Sequence, residues 1–182
     1  LLRCRDQLMR AHFRKENWER AIHYAKLVLT FEKLPARTAE EAHMTLARCY
    51  YKLDEGENCL AYSRKILSES GSEYAAEAAY MIGDVLYRKG EHKQAERELR
   101  KAVQTMGSYR DWMARTFILL SDIYMAMDDL VQAKSVLKTV IDRHDGPDLV
   151  ELAKQKYQMI EEVERERSRK QFEDAMDLDL NE

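Results

Sequence analysis

The sequence predicts an all-α solenoid: four helix pairs followed by a ninth, C-terminal capping helix. Three observations predict it. A short core recurs as Leu8-Met9-Arg10-Ala11-His12, Leu46-Ala47-Arg48-Cys49-Tyr50, Ile82-Gly83-Asp84-Val85-Leu86 and Leu120-Ser121-Asp122-Ile123-Tyr124. A small residue follows each core in the next apolar stretch, at Ala21, Cys59, Ala95 and Ala133, with spacings of 38, 36 and 38 residues. A fixed period of this size marks stacked helix pairs, each too small to bury its apolar face without its neighbours. Finally, 45% of the 182 residues are hydrophobic and only two are proline, which excludes a disordered linker.

The first pair (2–35) reads as helices over 2–15 and 18–32, separated by Lys15-Glu16-Asn17 and ended by Pro35. In the second (38–71), Thr38 and Glu41 form a capping-box pattern ahead of a helix over 38–53. Asp54-Glu55-Gly56 then makes the turn to a helix over 57–68, and Gly71 is expected to stop it in a left-handed conformation. The third pair (72–107) starts at Ser72, runs through Ala75, Ala78, Ala79, Ile82 and Leu86, and turns at Lys89-Gly90-Glu91. Ala95, Leu99, Ala102 and Val103 mark its mate, which Gly107 closes.

The fourth pair (108–146) opens at Ser108 with Asp111 and turns at Asp128-Asp129. Its last helix carries Leu130, Ala133, Val136, Leu137, Val140 and Ile141 on one face. The four pairs fill residues 1–147; Gly146-Pro147-Asp148 then breaks the chain. Asp148 and Glu151 open a capping helix over 148–170, apolar on one side through Leu149, Leu152, Ala153, Ile160 and Val163. Beyond Val163 comes a charged extension that buries nothing. The acidic tail 171–182, with five carboxylates and no basic residue, is expected to be frayed.

Thirty basic against 33 acidic residues give a net charge of -3, so nothing overall draws a phosphate backbone and nucleic-acid binding is disfavoured. No apolar run approaches the roughly 20 residues that span a bilayer. The chain begins at Leu1 and is apolar at once, which suggests a piece of a longer array with further repeats upstream. Cys4, Cys49 and Cys59 are odd in number and lack metal-ligand spacing, so Cys49 and Cys59 read as buried free thiols in small-residue slots.

The order of aliphatic, small residue, aromatic or aliphatic, short turn and small residue resembles the tetratricopeptide repeat family. Ile82-Gly83, Leu86-Tyr87, Gly90-Glu91, Ala95, Leu99 and Ala102 make the third unit its best match; Gly56 and Cys59 in the second unit, and Ala25 and Val28 in the first, depart from it. The resemblance spans about Arg3 to Ile141 and implies a right-handed superhelix. The period exceeds the family's usual value of about 34. Together with the junctions at Leu34-Pro35-Ala36 and Gly146-Pro147, this looks like the C-terminal section of a bacterial cell-envelope array. A periplasmic or envelope location is therefore expected, with the cytoplasm as the alternative.

In this family the first helix of each pair lines a concave groove. The resemblance implies that Phe13-Arg14, Tyr51-Lys52, Tyr87-Arg88 and Met125-Ala126 point into it, with Arg10, Arg48, Asp84 and Asp122 one turn earlier. Rings beside cations suit an extended peptide with apolar and acidic side chains, and the second series predicts a groove basic at its N-terminal end and acidic at the other. The same residues also fit a solvated face whose charges pair among themselves.

The lysine, asparagine and arginine clamp of the family's chaperone-binding members is missing, since Asp6, Arg10, Thr45, Glu77 and Met81 occupy those positions. The five histidines form no HxxxH or HExxH spacing, no nucleophile-and-base signature occurs, and no glycine-rich phosphate loop is present. No catalytic, cofactor-binding or metal residue is assigned. The expectation is a non-catalytic scaffold for a peptide or protein partner; the alternative is a regulatory or substrate-docking segment of a larger enzyme or transcription regulator. The sequence names neither the partner nor the oligomeric state.

Overall fold

The computed structural model describes residues 1–69 and 71–179. Among the described residues are nine helices and no strand, in the order α1 (Leu2–Arg14), α2 (Trp18–Leu29), α3 (Ala36–Lys52), α4 (Gly56–Glu69), α5 (Glu73–Arg88), α6 (His92–Val103), α7 (Arg110–Ala126), α8 (Leu130–Arg143) and α9 (Pro147–Asp179). The chain divides into a first unit, Leu1–Trp112, and a second, Met113–Glu182. No described helix is long and apolar enough to cross a membrane.

In the first unit each of α1 to α5 packs on the next helix in sequence, and the first helices of successive pairs also touch, α1 with α3 and α3 with α5. This is the contact pattern of stacked pairs. The phase read from the sequence holds at its small positions, because Ala21, Cys59, Ala95 and Ala133 are all fully buried. Small side chains there let paired helices approach closely. The extreme case is Gly83, where an added Cβ would lie 2.3 Å from Leu99 Cδ2 on α6. Leu99 is itself fully buried, so it has nowhere to retreat.

Every pair turns in the same way. Glu16, Asp54, Gly90 and Asp128 all have positive φ, between 56° and 78°, one in each turn inside a pair. The next residue donates its backbone N–H back to the helix just ended: Asn17 to His12 at 3.0 Å, Glu55 to Tyr50 at 2.8 Å, Glu91 to Leu86 at 2.9 Å and Asp129 to Tyr124 at 2.8 Å. With the companion bonds from Glu16, Asp54, Gly90 and Asp128 to Phe13, Tyr51, Tyr87 and Met125, these are Schellman closures. Glycine fills the slot once; at the others a residue with a Cβ carries the cost of a left-handed backbone. Asn17 and Asp129 then cap the following helices, accepting from the Arg20 and Gln132 N–H groups.

The junctions between pairs differ from the expected ones. Gly71 and Gly107 are not left-handed; α6 ends earlier, at Val103, and Met106 is buried in the loop that follows. Thr38 and Glu41 form no capping box, because α3 begins at Ala36 behind Pro35 and no side chain caps it. Proline has already set the backbone there, and Glu41 is drawn to Arg10 instead. Ser72 does cap α5, accepting from the Ala75 N–H at 3.4 Å. α2 stops at Leu29, short of Glu32.

In the second unit α8 and α9 pack together, burying Ala133, Leu137 and Val140 on one helix and Ala153 and Ile160 on the other. Leu152, expected on the covering face, is 40% exposed. α9 starts at Pro147, with proline in the first turn where its missing N–H costs nothing. It continues to Asp179, past the Lys170 where the sequence reading ends the capping helix, so residues 171–179 of the acidic tail are helical. The remainder of that tail, 180–182, lies outside the described residues.

Candidate partner-binding face

The sides of α1, α3 and α5 that meet one another carry most of the residues the sequence singles out. Their charges are largely matched across helices. Arg10 pairs with Asp6 on its own helix and with Glu41 on α3. Arg48 repeats the arrangement one pair later, its Nε donating to Glu77 Oε1 at 2.6 Å and a terminal nitrogen to Oε2 at 2.5 Å. This fork is a two-bond contact, the strongest geometry between such groups. Burial works against the Arg48 charge, but the hydrogen bond to Glu77 and its carboxylate charge outweigh it, and the pKa rises above the usual arginine value. The guanidinium also faces the rings of Tyr74 at 5.4 Å and Phe13 at 6.0 Å.

One turn further along, Tyr51 OH donates to Asp84 Oδ2 at 2.7 Å. Arg88 lies over the Tyr51 ring at 4.9 Å and pairs with Asp84 at 2.9 Å and with Asp54. Burial first, and then the bond to Asp84, push the Tyr51 phenol well above its ordinary pKa. Phe13 and Tyr87 each pack on the mate of their own pair, Phe13 edge-on to Trp18 at 5.4 Å and Tyr87 against His92 at 5.4 Å. Both rings remain half-buried.

The expected gradient from basic to acidic is therefore cancelled locally. Arg10, Arg48 and Arg88 are held by carboxylates, and Asp84 is occupied by Tyr51 and Arg88. Arg14 and Lys52 are exposed and form no ion pair among the described residues. Asp122 and Met125 belong to the second unit, where Asp122 accepts from Lys156 of α9 at 2.6 Å and Met125 is half-buried.

Met9, Arg10, Phe13, Arg14, Glu41, Thr45, Arg48 and Tyr74 together line an open cavity of about 260 Å³. Glu41, Glu77, Tyr74 and Asp54 are the members of this face that the sequence reading missed. A signal for two of them was present: Glu41 and Glu77 each stand seven residues, two helical turns, before Arg48 and Asp84. Comparing that register between neighbouring repeats would have paired Arg10 with Glu41 and Arg48 with Glu77.

Two of the three thiols are withdrawn from solvent. Cys49 and Cys59 are buried and free, and Cys4 is exposed. Burial pushes the Cys49 thiol up to about 12, against the pull of the Arg48 charge. Cys59 is also raised by burial. Thiols held protonated in this way are unreactive.

Residues 76–105, the third pair, match the tetratricopeptide repeat family. No curated protein matches the chain. Among solved structures, PilF of Pseudomonas aeruginosa is 22% identical with a TM-score of 0.68, the alignment covering 91% of this chain and 69% of that one. MamA of Desulfovibrio magneticus RS-1, from residue 41 to its end, is 18% identical with a TM-score of 0.65 over 91% of this chain and 96% of the other. A putative kinesin light chain of Podosopora anserina, described as having nearly identical tetratricopeptide-like repeats, is 14% identical with a TM-score of 0.68, covering 93% and 89%. Identity this low carries the fold and nothing more. The chain therefore carries a tetratricopeptide repeat at residues 76–105, and across more than nine-tenths of its length it shares the fold of solved structures that include one described by its tetratricopeptide-like repeats.

Proposed function

We propose that this protein is a non-catalytic interaction scaffold, and that the first-helix face of its first unit holds an extended peptide bearing apolar and acidic side chains. A repeat solenoid displays equivalent residues of successive units side by side, which suits an elongated ligand. The observation that carries the reading is the cavity lined by Met9, Phe13 and Tyr74, with Arg14, exposed and without an ion pair among the described residues, in its walls. Rings there offer contact area at little entropic cost, and a free cation can meet a carboxylate. Arg10, Arg48 and Arg88 contribute shape rather than charge, because their charges are already neutralised. Placement in a bacterial cell envelope belongs to the same proposal and rests on the long repeat period and the junctions.

Selection from a displayed peptide library tests it. The expected ligands combine an aromatic or aliphatic residue with nearby carboxylates. Phe13→Ala combined with Arg14→Glu should weaken them by about tenfold or more, equivalent to at least ~1.4 kcal/mol. Circular dichroism should show the variant folded. Ligands that bind the variant as well as the parent would place the binding surface elsewhere.

A further inference from the structure

The second helices of the first unit present a different surface. On α6, Lys93, Arg97 and Lys101 recur every four residues, all exposed and without an ion pair among the described residues. Four residues of helix advance about 6 Å and overshoot a full turn by about 40°, so the three cations form one stripe that winds gently around the helix. Beside it lies a mainly apolar cavity of about 290 Å³, whose walls include Ala79, Ile82, Met106 and Leu67 together with Lys101 and Glu98. Leu67, on α4, is 41% exposed.

The far end of α9 carries the complementary chemistry. Phe172 is 67% exposed and Met176 50% exposed, one turn apart, with exposed Asp174 and Glu173 between them, the latter in a solvent-exposed pair with Arg169 at 3.6 Å that a stronger partner can replace. At the helical step of about 100° per residue they stand roughly 120° and 160° around the axis from buried Ile160. They are therefore not a continuation of the side that packs on α8. Charge is divided in the same sense along the chain: residues 1–112 hold 20 Lys and Arg against 17 Asp and Glu, and residues 113–182 hold 10 against 16.

We propose that the end of α9 from one copy docks on the α6 face of a second copy. Phe172 and Met176 cover the apolar cavity, while Glu173 and Asp174 face Lys93, Arg97 and Lys101. The two surfaces are different patches of the same molecule, so the contact is heterologous. Such a contact leaves one patch open at each end and adds copies without a fixed stop unless its rotation closes a ring. Opposed exposed charges make it sensitive to salt.

Sedimentation velocity on the whole chain tests this. The mean sedimentation coefficient should climb with protein concentration and fall back as salt is raised. A tail variant, Phe172→Asp with Met176→Asp, and a face variant, Lys93→Glu with Arg97→Glu and Lys101→Glu, should each be monomeric. Mixed in equal amounts they should form a dimer and stop, because each supplies the one patch the other still has. The altered side chains are exposed, so both variants should melt with the parent. Should either unfold, Phe172→Ser and Lys101→Gln replace them with the same expectations, weakened. A parent that stays monomeric at every concentration overturns the proposal, as does association that survives both variants. So does a monomeric parent that binds anionic vesicles or a single-stranded oligonucleotide through α6, which would assign the cationic stripe to a foreign polyanion.

Discussion

On the first-helix side of the first unit Arg10, Arg48 and Arg88 are each held by a carboxylate from a neighbouring pair, whereas on α6 Lys93, Arg97 and Lys101 stand exposed without an ion pair among the described residues. α3 lies between α1 and α5, and its side chains find carboxylates and rings within reach on both. A cation on that side becomes part of what joins one repeat to the next. A cation on the outer side of α6 meets water. Residue type alone therefore does not tell a binding charge from a structural one in a repeat protein; the element on which it sits does.

The most severe way to break the comparison is at Gly83, where the paired helices come closest and both sides depend on the packing beneath them. Gly83→Leu should cost at least about 3 kcal/mol in urea unfolding and remove both surfaces together. Gly83→Ala should also destabilise, by roughly 1–2 kcal/mol, although alanine favours a helix by about 1 kcal/mol over glycine. An unchanged urea midpoint in either variant would refute the close approach to Leu99.

Arg48 and Glu77 sharpen the comparison from the first-helix side. Each single change to alanine should cost about 1–3 kcal/mol, since it strands a partly buried partner, and a double-mutant cycle should return a coupling of about 1 kcal/mol or more. Reversing Lys93, Arg97 and Lys101 should alter stability by no more than about 0.5 kcal/mol. Equal effects on both sides would erase the distinction.

Tyr51 gives a pH test. Its folded pKa lies above the unfolded value of about 10, so its contribution to stability is complete below pH ~10 and is lost as pH rises through the folded value. Stability of the parent should decline in that alkaline range, and Tyr51→Phe should lack this component. Absorbance titration should show a phenol that titrates above the ordinary range in the parent and is missing from the variant. A full-amplitude late step in Tyr51→Phe would assign that phenol to another residue.

The smallest expected effect concerns the turns. Glu16→Gly and Asp128→Gly should each stabilise by up to about 1 kcal/mol, because they relieve a left-handed backbone without touching either surface. Gly90→Ala should destabilise by a similar amount, and thermal melts would show whether the signs are opposite.

Much of the architecture was legible in the chain. The buried slots Ala21, Cys59, Ala95 and Ala133 were visible as a spacing, and the four turns were placed where the left-handed residues lie. The junctions were misread because glycine was taken as the mark of a left-handed stop, while three of the four such positions are Glu16, Asp54 and Asp128. Gly71 and Gly107 sit in connections whose course is set by packing around buried Met106 and by the Tyr109 hydroxyl, which donates to the Gly71 carbonyl at 3.1 Å. The extension of α9 was missed because a charged run without an apolar stripe gives no periodic signal.

By itself, then, the sequence determined the helix pairs, their phase and their inward-facing small residues, because these follow from local periodicity and from side-chain volume. Only the tertiary structure decided which cations are committed. Arg48 meets a carboxylate 29 residues away and Tyr51 one 33 residues away, across helices whose rotation about their axes is set by packing. Periodicity identifies the face on which such a group lies, but the partner that neutralises it comes from the neighbouring repeat.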